Sequence, residues 1–206
     1  MRINPLLLLG LLFLPLTGST AGQALQQLHA FLNKTRTLTA DFKQVSFDEN
    51  GNPVQTSFGV FMLQRPGKFR WDYEKPFVQQ IISNSDKVWF YDADLEQVTI
   101  RKLDESIGST PALLLSGQVS LEENFIIEQQ GQDGDLFWIR LIPRDQQSSF
   151  KYILIGMDHG ILGGMELNDN FGQLTRIYFS KVRINVDIDP AQFTFTPPAG
   201  TDIFEE

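Results

Sequence analysis

Reactive side chains are scarce in this chain of 206 residues. Its two histidines are His29, inside an apolar-periodic stretch, and His159, between Asp158 and Gly160. Neither has a partner at metal-ligand spacing, so each reads as a surface or half-buried residue rather than a ligand. The acidic pairs Asp92 with Asp94 and Glu122 with Glu123 are of the type that flanks a glycosidic bond. Carboxylates in turns are ordinarily solvated, however, and spacing alone does not set the separation hydrolysis needs. The chain carries no nucleophile elbow, no phosphate loop and no dinucleotide fingerprint. It has no cysteine, which removes disulfides, thiol catalysis and thiolate metal sites together. The expectation is a protein that is not an enzyme and holds no metal or cofactor.

Binding is better served than reaction. Arg65-Pro66-Gly67 is a tight turn feeding Lys68-Phe69-Arg70-Trp71-Asp72-Tyr73, and alternation along a strand puts Phe69, Trp71 and Tyr73 on one face with the charges on the other. Arg65 ends the apolar run Val60-Phe61-Met62-Leu63, where five fixed donors can reach the free carbonyls of a covering helix. The plainer alternative is a solvated strand-end arginine beside ordinary core aromatics.

The elements that must position these residues are mostly strands. Ala24 to Lys34 reads as an amphipathic helix, with Leu25, Leu28, Phe31 and Leu32 at three- and four-residue spacing. Alternation then begins with Leu38, Ala40 and Phe42 and slips to Val45 and Phe47, which predicts a β-bulge near Gln44. Asn50-Gly51 marks a hairpin, and further strands follow to Lys102. Lys87 to Asp92 carries large apolar groups on both faces, Val88 and Phe90 against Trp89 and Tyr91. Thr110, Pro111 and Gly117 punctuate a short helix over Thr110 to Ser116, and Ser120 with Glu123 forms a capping-box pattern. Five more strands run from Phe125 to Val182, and Phe193 to Phe195 reads as a last short one. This is a mainly β chain with short helices and roughly eleven strands, too many for one flat sheet, which therefore curls into a barrel or part-barrel.

At the N-terminus, Met1-Arg2, an apolar run from Leu6 to Leu16 and small residues to Ala21 have the order of a cleaved secretory signal, too short for a membrane span. Residues 1–21 are expected to be removed and 22–206 to form a single domain. With 17 basic against 25 acidic residues, nucleic acid is excluded as a partner, because phosphate neutralisation needs a basic surface. If the helices merely cap the curled sheet, the protein is a structural module with a dry core; if they move, the space beneath is a binding cavity.

Several segments occur together in one order: Arg65-Pro66 with Phe69 and Trp71; Trp89-Phe90-Tyr91-Asp92 with Gln97-Val98; Thr110-Pro111-Ala112-Leu113-Leu114; Asp169-Asn170-Phe171-Gly172-Gln173; and Phe193 to Pro198. In this the chain resembles the LolA family, the periplasmic carriers of outer-membrane lipoproteins. The resemblance implies an unclosed antiparallel β-barrel covered by a helical lid that encloses the acyl chains of lipoproteins. It also implies a monomeric shuttle, loaded by an inner-membrane ATP-driven release complex and unloaded by an outer-membrane receptor of the same fold. That receptor is lipid-anchored through an N-terminal cysteine, which is absent here and favours the carrier. A periplasmic binder of another amphiphile on the same fold is the alternative.

By the same resemblance Arg65 latches the lid through the backbone carbonyls of Leu32 and of Leu115 or Ser116. The acyl-chain cavity is expected to be walled by Val60, Met62, Phe69 and Trp71, and the lid helices to contribute Leu25, Leu28, Leu113 and Leu114.

Overall fold

Strand pairing follows chain order almost throughout. In the computed structural model, which describes residues 21–103 and 112–205, the first six strands form an antiparallel meander: β1 (Thr37–Phe47), β2 (Pro53–Gln64), β3 (Lys68–Lys75), β4 (Gln79–Asn84), β5 (Lys87–Asp92) and β6 (Gln97–Lys102). A second meander comprises β7 (Phe125–Asp133), β8 (Leu136–Pro143), β9 (Phe150–Asp158), β10 (Ile161–Asp169) and β11 (Leu174–Ile184). The β1–β11 ladder joins the two, and a last strand, β12 (Asp202–Glu205), adds to β6 in parallel. The order is β12-β6-β5-β4-β3-β2-β1-β11-β10-β9-β8-β7, and among the described residues no ladder joins β7 to β12. The sheet is unclosed and has twelve strands, against roughly eleven expected.

Among the described residues three α-helices accompany the strands, α1 (Ala21–Lys34) before β1 and α2 (Ala112–Leu115) and α3 (Leu121–Asn124) between β6 and β7. On α1 the apolar residues at helical spacing turn one way, with Ala24, Leu28 and Phe31 buried and Leu25 and Leu32 half-buried. Leu113, Leu114 and Leu115 of α2 are buried as well. All of these side chains except Leu25 share or pack against one cluster with Leu38, Ala40 and Phe42 of β1, Phe61 and Leu63 of β2, Phe69 and Trp71 of β3, and Val88 of β5. The face of the sheet that meets the helices is called the inner face below.

The outer face carries its own small core. Ile82 of β4, Val98 of β6 and Phe193 are each essentially inaccessible yet lie outside the main cluster. Phe193 ends a 3-10 turn, Pro190–Phe193, that packs on β3 and β4, Arg70 Nη1 donates to Gln192 O at 3.3 Å, and Tyr91 meets Phe195 at 5.4 Å between rings. The chain after β11 is thus a strap across the outer face leading to β12.

Several local expectations need correction. The β1–β2 register runs unbroken through Gln44, and irregularities fall instead at Thr39/Asp41 and Ser46/Phe47. Val45 and Phe47 sit on the outer face, the latter beneath Arg176, so the slip in pattern marks a polar inner residue, Gln44, and no bulge there. Ser120 caps α3 without a side-chain bond, so the capping box is not made. Phe193 to Phe195 is not a strand: Asp189 accepts from Ala191 N to cap the 3-10 turn, and nearby prolines withhold donors from any ladder. The expected signal peptide, residues 1–21, falls outside the described residues except for Ala21, the first residue of α1; Thr110 and Pro111 also fall outside them.

Candidate functional site

The Arg65 guanidinium sits where two helices end. Its Nε donates to Leu115 O of α2 at 2.8 Å, while Nη1 faces Phe31 O at 2.9 Å and Leu32 O and Thr35 O at 2.7 Å, at the end of α1. The last carbonyls of a helix have no intrahelical donor and carry the negative end of its dipole, so one cation serves both helices at once. The Phe31 ring lies 5.0 Å from the guanidinium carbon. Among the described residues no carboxylate pairs with Arg65, and its Nη2 is buried without a hydrogen-bond partner. Burial pushes its pKa down to about 10, which leaves it charged at neutral pH.

The turn that presents Arg65 is itself fastened to α2. Gly67 N donates to Ser116 O at 3.1 Å, and Gly67 O accepts from Ser83 Oγ at 2.8 Å. The Ser116 carbonyl therefore engages the turn's main chain rather than the guanidinium, a correction to its expected role. Only glycine fits at position 67: its φ is +73°, and a Cβ there would stand 2.6 Å from Gln118 Nε2. A Cβ at Gly117, φ +76°, would meet Arg65 Cδ at 3.2 Å.

Below Arg65 the inner face is aromatic. Trp71 contacts Phe42 at 5.2 Å, Phe61 at 4.7 Å and Phe179 at 6.1 Å between ring centroids. Phe69 and Trp71 are 0% and 1% exposed and share the cluster with Leu28 and Leu113. Val60 and Met62 do not join them. The β2–β3 register pairs Leu63 with Phe69 and Phe61 with Trp71, whereas Val60 pairs with Asp72 and Met62 with Arg70. Val60 and Met62 therefore face outward, where with Thr39, Asp41 and Lys181 they line a separate cavity of about 440 Å³. Within β5 the same logic puts Val88 and Phe90 on the inner face, since Ser83 pairs with Val88 and Ile81 with Phe90. Trp89 and Tyr91 face outward.

The profile of the family described as outer membrane lipoprotein carrier protein LolA matches residues 33–196. The chain belongs to the LolA family. An outer-membrane lipoprotein carrier protein of Methylococcus capsulatus is 58% identical over 180 residues, covering 87% of this chain and 86% of the relative. One from Nitrosospira multiformis is 43% identical over 207 residues and the full length of both. Among solved structures, a LolA superfamily protein from Nitrosomonas europaea superposes with a TM-score of 0.51 at 9% identity over 86% of this chain and 99% of that one. A protein from Thermus thermophilus gives 0.54 at 12% identity, over 90% and 98%. These likenesses, at such identities, speak to the fold alone.

The LolA match takes in Arg65, Phe69 and Trp71 together with the α1 residue Lys34 and all of α2. Sequence reasoning missed the Phe31 and Thr35 carbonyls, and it missed Phe61, Phe42 and Phe179 as neighbours of Trp71 and Leu63 as the neighbour of Phe69. The signal for Phe61 was present: a three-residue turn between Gln64 and Lys68 fixes which residues of β2 and β3 stand opposite each other. Phe179 comes from a strand distant in sequence, and no local pattern points to it.

Proposed function

We propose that this chain carries outer-membrane lipoproteins through the periplasm, exported behind a cleaved signal in residues 1–21. It holds their acyl chains against the inner face, beneath a lid formed by α1 and α2, and performs no covalent chemistry. Cargo arrives from an inner-membrane ATP-driven release complex and leaves to an outer-membrane receptor of the same fold. The observation that carries this reading is the position of Arg65, which ties the ends of both helices together above a wall of aromatic side chains.

Energetics require such a device. Each buried methylene contributes about 0.8 kcal/mol, so full enclosure of several acyl chains would reach tens of kcal/mol and prevent release on a useful timescale. Arg65 opposes cargo: entry of acyl chains parts charge-assisted bonds to helix carbonyls, and these re-form on release. The latch is also not overbuilt, because among the described residues the buried guanidinium has no counter-ion and one unpaired nitrogen.

Mass spectrometry of material co-purifying with the protein from periplasm tests the reading. Fully acylated lipoprotein is expected. A free lipid would transfer the site to another amphiphile, and an empty protein under loading conditions would make the interior a dry core.

A further inference from the structure

Beyond the aromatic wall, the inner face continues into a row of polar side chains, four of them uncharged and one an acid, that crosses the sheet. Tyr73 of β3 stands opposite Gln79 of β4, Gln79 opposite Asp92 of β5, and Asp92 opposite Gln97 of β6. On the other side Tyr73 is registered with Gly59 of β2 and through it with Phe42 of β1, and its Oη donates to Gln44 Oε1 at 3.0 Å, two residues farther along β1 from the helices, which brings Gln44 to the end of the row. The next row toward the helices is registered in the same way and is apolar on β3 to β5, with Trp71, Ile81 and Phe90, before reaching Thr99 on β6. The polar row thus marks the level at which the wall stops being fit for hydrocarbon. Gln79, Asp92 and Gln97 with Ile81, Phe90 and Thr99 line most of a cavity of about 300 Å³ at this level.

The row's chemistry is specific. It contains no lysine, arginine or histidine; Lys75 follows beyond Tyr73 and is exposed. Its one acid, Asp92, is occupied: Oδ2 accepts from Gln79 Nε2 at 2.7 Å, and Oδ1 accepts from Asp94 N and Leu95 N, both at 3.1 Å. Among the described residues the amide donors Gln44 Nε2 and Gln97 Nε2 make no hydrogen bond. Within the row a phosphate or carboxylate headgroup would meet a carboxylate and no cation, the Arg101 guanidinium lying over the Phe90 ring at 5.6 Å, whereas ester and amide carbonyls would meet donors.

We infer that this row, Gln44, Tyr73, Gln79, Asp92 and Gln97, is a subsite for the neutral polar junction of an acylated cysteine: its glyceryl ester carbonyls and first amide. This rests on the carrier reading and adds to it. The apolar rows take the hydrocarbon and set no depth, since methylenes slide past one another at equal burial. The polar row supplies the register that stops the chains with their ester groups at one level, and it discriminates against free fatty acids and phospholipids.

The test is calorimetric titration of the empty protein with a synthetic peptide bearing an N-terminal S-(dipalmitoylglyceryl)cysteine, beside its dialkyl ether analogue, which lacks the ester carbonyls. The unsubstituted protein is expected to prefer the ester about tenfold, the effect of one or two neutral hydrogen bonds. Gln97→Leu should reduce that preference to about threefold and Gln44→Met with Gln97→Leu should abolish it; the single variant, at the more open end of the row, serves if the double one fails to fold. Equal binding of ester and ether by the unsubstituted protein, or an undiminished preference in Gln97→Leu, would overturn the subsite and leave the carrier intact. Binding of neither probe to the unsubstituted protein would overturn the carrier reading and the row with it.

Discussion

Gly67 and Ser116 are joined through their main chains, Gly67 N to Ser116 O at 3.1 Å, so the turn before β3 stays fastened to α2 whatever side chain stands at position 65. Arg65→Leu therefore removes the guanidinium without releasing the turn. Loading from inner membrane should persist, and hand-off to receptor should slow by tenfold or more, since charge-assisted hydrogen bonds contribute on the order of 1.5 to 3 kcal/mol each. Transfer assays of both steps decide it: unchanged rates in both would leave Arg65 a strand-end residue with no part in delivery.

Opposite faces give an internal control for the cavity. Phe69→Glu puts a carboxylate into the fully buried inner wall and should abolish cargo uptake. Val60→Glu places the same charge on the outer face beside Asp72 and should leave uptake within about twofold, consistent with a surface change of roughly 0.5 kcal/mol. Equal loss in both variants, measured by lipoprotein release from membranes, would show that the face assignment does not govern binding.

The latch should not respond to pH in the range the protein meets. Burial lowers the Arg65 pKa to about 10, so the folded protein gives up this proton at a lower pH than the unfolded chain does. The cost of keeping the buried charge is then fully present below that value and is relieved only as pH rises through it. The stability difference between the unsubstituted protein and Arg65→Leu should stay flat from about pH 6 to 9, as followed by urea denaturation. A slope in that window would mean a different titrating group controls the helix ends.

On the outer face, Phe193→Ala should cost about 3 to 5 kcal/mol, the usual consequence of emptying a fully buried aromatic site. The loss should appear in chemical denaturation and also as faster amide exchange in β12, which the strap leads into. Exchange unchanged in β12 would mean that the strap and the strand are independent.

Legibility in the sequence followed the range of the interaction. α1 and the eleven strands from β1 to β11 are visible because apolar period and turn residues are local. Arg65 and its approach to the ends of two helices were legible through the family resemblance, which implies Leu32 and either Leu115 or Ser116 as acceptors; the structure has Leu32 and Leu115. Val60 and Met62 were misassigned because in Val60-Phe61-Met62-Leu63 every residue is apolar, so only pairing distinguishes the faces. Ser116 was misassigned because the choice between its carbonyl and that of Leu115 depends on the angle at which a helix ends. β12 was missed because its stability comes from a parallel partner a hundred residues away, and Ile203 and Phe204 remain half-exposed in it.

Among the described residues no ladder joins β7 to β12, and this bears on how much the protein can hold. Strand number and shear fix the girth of a closed barrel, and swelling one means breaking hydrogen bonds between strands. Here the order stops at β12 on one side and β7 on the other, so girth is free to vary by small rotations shared among neighbouring strands while every ladder stays intact. The contents, rather than the wall, then decide the width, and one chain can fit cargoes of unequal bulk with the same set of backbone hydrogen bonds.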